Sequence, residues 1–263
     1  MKIKEVLEAL ERFAPLPLQE DYDNAGLQVG LTEAWEVSGA LLCLDVTEEV
    51  VDEAIANGCN LIVSHHPLIF QKLRCVSDKT MVQRIVFKAI ENKIAIVSMH
   101  TNMDSARGGV NWKIAEKMGL RDVAFLGETK TVEEVQGASG IIGNLPKPME
   151  AADFIKMLKT TFGVECVQAN ELLERPISRV ALCGGAGSFL LGDAIAAGSD
   201  AFVTGEMHYH DYFDTEQKIQ IAVIGHYQSE QFTKEVFREI IERDCPGVKC
   251  YMSEVNTNPI KYM

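Results

Sequence analysis

The residues with the most chemical potential in this chain are Ser64-His65-His66-Pro67. Neighbouring residues of a regular strand point to opposite faces, so two adjacent imidazoles share a site only where the chain leaves the strand. Pro67 enforces that departure, because it lacks an N–H and fixes φ. Two imidazoles at a turn could each take a different metal ion, or form a plain buried or surface pair. Two further motifs add oxygen donors: His100-Thr-Asn-Met-Asp104 and His226-Tyr-Gln-Ser-Glu230 each place an acid four positions after a histidine. Acids at helix N-termini are also good caps, but capping does not account for the recurrence of His-x-x-x-acid.

Together His65, His66, Asp104, His226 and Glu230 supply three neutral nitrogens and two anionic oxygens. That set would nearly saturate one ion. Two ions about 3.5–4 Å apart, bridged by a carboxylate and a water, would keep positions open for a substrate, as two-metal hydrolysis requires. Mixed His/carboxylate ligation suits Zn, Fe, Mn, Co or Ni and disfavours Ca and Mg. Two divalent transition-metal ions per chain are therefore expected. A Cys-rich structural zinc site is excluded, since no cysteine lies near these motifs.

Weaker signals surround this set. Gly184, Gly185, Gly187 and Ser188 form a loop after an apolar run. Their N–H groups could cradle a phosphate or carboxylate, or serve only a tight strand-to-helix turn. Arg107 is a second candidate for holding an anionic substrate. His100, His208 and His210 are candidates for proton transfer, while Glu206 to Asp211 reads as a shuttle, an orienting group, a substrate-reading loop or a solvated loop. Ordinary turn chemistry accounts for most of Asp21 to Gln28.

All six histidines follow apolar runs, and in parallel sheets ligands bind beyond the carboxyl ends of strands. The runs are Gly39–Leu44, Asn60–Ser64, Ile94–Ser98, Val180–Cys183, Asp200–Thr204 and Ile219–Ile224. Most lack polar alternation, as strands buried on both faces do. Helical patterns separate them. One follows Asp45 or Thr47 as cap and ends at Gly58, which implies parallel βαβ units. The segment Leu42 to His66 can be laid without a gap on Leu182 to Glu206, 140 residues on. The expected fold class is therefore α/β, as two related α/β lobes with mostly parallel central strands and an internal pseudo-duplication. The lobes are placed at 1–126 and 127–263, with C-terminal elements free to pack on the first. Gly127 to Lys130 reads as a joint, and Asn144 to Pro148 as a turn ahead of a helix over 151–162.

The 263 residues are 47% hydrophobic and 24% charged, which argues against long disorder, and the net charge is −13. Such a chain repels phosphate backbones and acidic lipid, so nucleic acid and membrane are not expected partners. The amphipathic start has no apolar signal core. Seven cysteines without a C-x-x-C fit reduced thiols and a cytoplasmic location.

Several motifs in this order resemble the GTP cyclohydrolase I type 2 homologues, the Ngg-interacting-factor-like proteins. They are Asp23-Asn24-x-Gly26-Leu27-Gln28, Ser64-His65-His66-Pro67, His100-Thr-Asn-x-Asp104, Gly184–Ser188, Thr204-Gly-Glu206 and Gly225-His226-Tyr-x-x-Glu230. The resemblance covers nearly the whole chain. It implies a dinuclear centre held by His65, His66, Asp104, His226 and Glu230 in a ring-shaped homohexamer. The insertion of some relatives has no room between Gly127 and Arg179. The expected activity is metal-dependent hydrolysis of the cyclohydrolase or amidohydrolase sort, on a small anionic or heterocyclic substrate. The alternative is a non-catalytic metal-binding ring for storage, delivery or scaffolding.

Overall fold

The computed structural model describes residues 1–261. The chain forms two compact units: Met1–Met103 with the C-terminal stretch from Thr233, and Asp104–Phe232. In the first stretch run α1 (Ile3–Phe13), β1 (Gly26–Val29), β2 (Ala40–Cys43), α2 (Glu48–Ala56), β3 (Leu61–Ser64), α3 (Met81–Glu91) and β4 (Ala95–Ser98), followed by α4 (Thr101–Ser105). Next come α5 (Val110–Met118), β5 (Arg121–Val132), β6 (Val135–Met149), α6 (Ala151–Phe162), β7 (Gln168–Ala169) and β8 (Ile177–Cys183). After these are α7 (Leu191–Ala196), β9 (Ala201–Thr204), β10 (Gln220–Val223) and α8 (His226–Glu230). Helix α9 (Thr233–Asp244) and β11 (Cys250–Met252) return to the first unit. No helix of the described residues is long and apolar enough to cross a membrane.

All six apolar runs are strands, in two sheets that each combine parallel and antiparallel pairs. In the first unit the order is β1-β4-β3-β2-β11, with every pair parallel except the antiparallel edge β1. Strands β2, β3 and β4 are buried at every residue, which is why their sequences show no alternation. The core joins Leu41 and Ile62 of the sheet to Val50, Val51 and Ala54 of α2 and Ile85 and Ala89 of α3. Thr47 caps α2, accepting from Val50 N at 3.3 Å. In the second unit β8, β9 and β10 form a parallel centre, flanked by the antiparallel β5–β6 hairpin and by β7.

The duplication is visible in hydrogen-bond register. Ala40 pairs with Leu61 and Cys43 with Ser64; 140 residues on, Val180 pairs with Ala201 and Cys183 with Thr204. The helix ends repeat as well. Cys59 N bonds Ala54 O at 2.9 Å after Gly58 (φ 67°), and Ser199 N bonds Ala194 O at 3.0 Å after Gly198 (φ 69°).

The 121–149 region departs from expectation. Gly127 to Lys130, expected as a joint, lies within β5, as does the 126/127 line between the lobes. Asn144 to Pro148, expected as a turn, belongs to β6, and the helix after it spans Ala151–Phe162 as expected. Pro146 and Pro148 fit there because the β6–β8 register shifts between Asn144 and Met149, so their missing N–H groups leave no gap in the ladder.

Candidate metal centre

In the first unit, Cys43, Ser64 and Ser98 close the parallel ladder in one register, and the chain leaves the sheet just beyond each. His65 N reaches the Cys43 and Leu44 carbonyls and His66 N the Leu44 carbonyl, all at 3.0–3.2 Å. Ser64 and Ser98 hydroxyls donate to the His66 carbonyl at 3.0 and 3.2 Å. These bonds turn both imidazoles to one place. Ring centroids lie 4.8 Å apart for His65–His66, 5.2 Å for His65–His100 and 5.4 Å for His66–His100. One ring nitrogen from each of the three falls within 4.8 Å of the others.

Each ring has its Nδ1 engaged. His65 Nδ1 donates to the Met99 carbonyl at 3.0 Å, His66 Nδ1 meets Asp45 Oδ1 at 2.7 Å, and His100 Nδ1 meets Asp23 Oδ1 at 2.7 Å. A carbonyl or carboxylate on Nδ1 fixes the tautomer that places the lone pair on Nε2, the usual arrangement around metal-ligating histidines. Burial pushes the Asp45 pKa up, but hydrogen bonds from His66 and Thr257 outweigh it and hold the group low. The Asp23 side chain is 0% exposed. Burial again opposes its charge; bonds from His100, Thr101 and the Asn24 N–H prevail and lower its pKa to about 2.

In the second unit, β10 leads through Gly225, at φ 96°, into α8. His226, the first residue of that helix, meets Glu206 Oε1 through Nδ1 at 2.8 Å and Glu230 Oε2 through Nε2 at 3.2 Å. The Glu230 side chain is buried. Gly185, at φ 59°, makes room for it, since a Cβ there would collide with Glu230 Oε1. Asp104 lies in α4, and its carbonyl accepts from the buried Asn111 at 3.1 Å, whose Oδ1 accepts from Gly184 N at 2.9 Å.

The N–H groups of Gly184, Gly185 and Gly187 are spent on Asn111, Ser229 and Thr204 at 2.9–3.1 Å, so the loop braces its own unit and does not offer those donors to an anion. Ser188 opens a 3-10 turn. The Arg107 guanidinium lies 5.3 Å from the Trp112 ring centre and 4.8 Å from that of Phe125. His208 and His210 sit in an exposed turn, His208 beside Asp211 at 3.4 Å and His210 stacked on Phe213 at 6.0 Å. Among the described residues neither joins a group able to hold a metal, whereas His100 does.

Sequence reasoning assigns neither Asp23, named only within a family motif, nor Asp45 a role in orienting a histidine. Asp45 was open as a helix cap, a role that Thr47 takes. Its place just beyond an apolar strand, the criterion that picked out the histidines, was the available signal. The two His-x-x-x-acid motifs are also not equivalent in register. Met99 N bonds Ser64 O and Ile224 N bonds Thr204 O, which matches His226 with Thr101 and Gly225 with His100.

This is a mixed α/β protein with groups of histidine and glutamate side chains that could hold a metal ion. It belongs to the Duf34/NIF3 (NGG1p interacting factor 3) family, whose model matches residues 1–259. It is 32% identical to a Clostridium perfringens protein named GTP cyclohydrolase 1 type 2 homolog, with all of both chains covered. A Lactococcus lactis protein of the same name is 31% identical, with 98% of each chain covered. Among solved structures, Staphylococcus aureus hypothetical protein SA1388 matches at 27% identity and a TM-score of 0.90, covering 100% of this chain and 99% of that one.

Proposed function

We propose that this chain is a metal-dependent hydrolase of the cyclohydrolase or amidohydrolase sort, its two transition-metal ions held by His65, His66, Asp104, His226 and Glu230. The observation that supports the reading most is the engagement of three Nδ1 atoms. Met99 O, Asp45 and Asp23 orient His65, His66 and His100 so that their Nε2 atoms carry the lone pairs. The name shared by the relatives supports the hydrolytic class.

When bound, such ions supply Lewis acidity and make hydroxide available from water near neutral pH. The chain's own contribution is orientation and proton handling. Asp45 and Glu206 fix the rings of His66 and His226. His100, backed by Asp23 at Nδ1, would accept or return a proton at Nε2. The substrate would be a small anionic or heterocyclic molecule. The same reading carries the ring-shaped homohexamer, and a monomer mass by light scattering would remove that part.

Metal content by mass spectrometry, on protein purified without chelators, tests the centre. About two transition-metal ions per chain are expected, with a loss of at least one in His66→Ala and in Glu230→Ala. Retention of both ions in the two variants overturns the assignment. Stoichiometric metal without turnover on cyclic amides, nucleotides or phosphoesters leaves the metal-binding ring in place of the hydrolase.

A further inference from the structure

The loop joining β3 to α3 encloses, with the start of α3, a cleft of about 590 Å³ within the first unit. Its apolar lining is Leu68, which belongs to the core, with the half-buried Leu73 and Val82 packed against that core. The rest of the lining is the aromatic Phe70, the cations Lys72 and Arg74, and the neutral polar side chains of Gln71, Thr80 and Gln83. The Phe70 ring is half exposed, at 50%, and stands edge-on to the His100 ring with centroids 6.3 Å apart. One side chain therefore borders both the cleft and the histidine cluster. Tyr22 lies on the same ring at 6.4 Å.

The charge of the cleft runs against that of the chain. Net charge is −13, yet among the described residues the cleft is lined by two cations and by no carboxylate. The neighbouring cations of α3 are already neutralised, Arg84 by Glu48 at 2.8 Å and Lys88 by Asp52 at 2.6 Å. Lys72 and Arg74 make no ion pair among the described residues. A concave apolar surface with a few convergent charges is the usual form of a small-molecule site, and two unneutralised cations give it a local positive potential.

We propose that this cleft binds a planar organic anion, its ring against Phe70 and its phosphate or carboxylate on Lys72 and Arg74, beside His100. The proposal rests on the hydrolase reading only for what becomes of the ligand, not for its binding. Arg74 offers a fork suited to two oxygens and Lys72 a point charge. The aromatic edge selects a flat body over an aliphatic one.

Phenyl phosphate and benzoate are suitable probes, with phenol as the uncharged control, titrated calorimetrically into the full chain as purified and after chelation. Phenyl phosphate is expected to bind the chelated protein in the low-millimolar range, and phenol to give no heat. A phosphate preference shows as phenyl phosphate binding tighter than benzoate, a general anion site as equal affinity. The double variant K72Q/R74Q should weaken the anions at least about tenfold, and F70A should weaken both aromatic anions while leaving inorganic phosphate unchanged. Unaltered affinity in K72Q/R74Q, or no binding to the wild type, overturns the proposal. Metal content separates the two readings: a metal-free wild type that still binds phenyl phosphate through Lys72 and Arg74 sinks the metal centre alone. A metal-loaded protein blind to the anions sinks the cleft alone.

Discussion

The crossovers β2–α2–β3 and β8–α7–β9 share one register but carry opposite chemistry at their exits. His65 and His66 of the first correspond to Gly205 and Glu206 of the second, and Asp45 corresponds to Gly185. In the first unit a carboxylate beyond β2 orients an imidazole beyond β3. In the second the roles reverse: Glu206 beyond β9 orients His226, and the position beyond β8 has no side chain, so that Glu230 fits. The exits of β4 and β10 differ similarly. His100 stands before its helix and reaches Asp23, while Gly225 delays the histidine by one residue and brings Glu230 to it one turn on. A shared scaffold thus fixes where side chains emerge, and single residues at the emergence points decide whether they present nitrogen or oxygen.

The sharpest way to break this contrast is Gly185→Ala. The added Cβ would meet Glu230 Oε1, and φ is 59° at a position where a side chain is disfavoured. Displacing the buried Glu230 should cost about 2–4 kcal/mol, read as a lowered urea midpoint, together with loss of metal. Unchanged stability would mean that the glycine is not required for Glu230. Asp45→Gly, the reciprocal exchange, should instead spare Glu230 and loosen His66.

A smaller effect is expected at Asp23, where the first unit relies on a residue outside the repeat. Its folded pKa, about 2, lies below the ordinary 3.8, so its ionised form stabilises the fold. The contribution is fully present above about pH 4 and is lost as pH falls through 2. Linkage sets it at about 2 kcal/mol. Asp23→Asn should therefore flatten the acid limb of the stability–pH curve. A wild-type slope retained in the variant would place the acid sensitivity elsewhere.

What could be read from the sequence follows the same division. Runs such as Leu61-Ile-Val-Ser64 announce themselves because a strand buried on both faces has no polar residue to interrupt it. The hairpin β5–β6 does not, since Glu128, Lys130, Glu133 and Glu134 break up its pattern on exposed surfaces and its prolines mimic a turn. In the site, histidines after strands were legible one by one. Their partners were less so: Asp23 pairs with His100 across 77 residues and Thr257 with Asp45 across 212, separations that no local periodicity encodes.

That last partnership gives the mildest test. Thr257 reaches Asp45 Oδ2 from the C-terminal stretch at 2.6 Å, while Oδ1 of the same carboxylate holds His66 at 2.7 Å. In the second unit Gly185 occupies the place of Asp45, and the carboxylate that orients the histidine is Glu206 instead. Thr257→Val removes one donor and keeps the shape, so the stability loss should be only about 1 kcal/mol. The effect on the metal should be larger in proportion, since groups that orient a ligand govern affinity by about tenfold or more. Titration with Zn or Mn against a competing chelator would resolve the two. Weaker metal binding with a nearly unchanged melting temperature identifies Thr257 as a positioning residue for His66, and parallel losses in both reduce it to a tether for the C-terminal stretch.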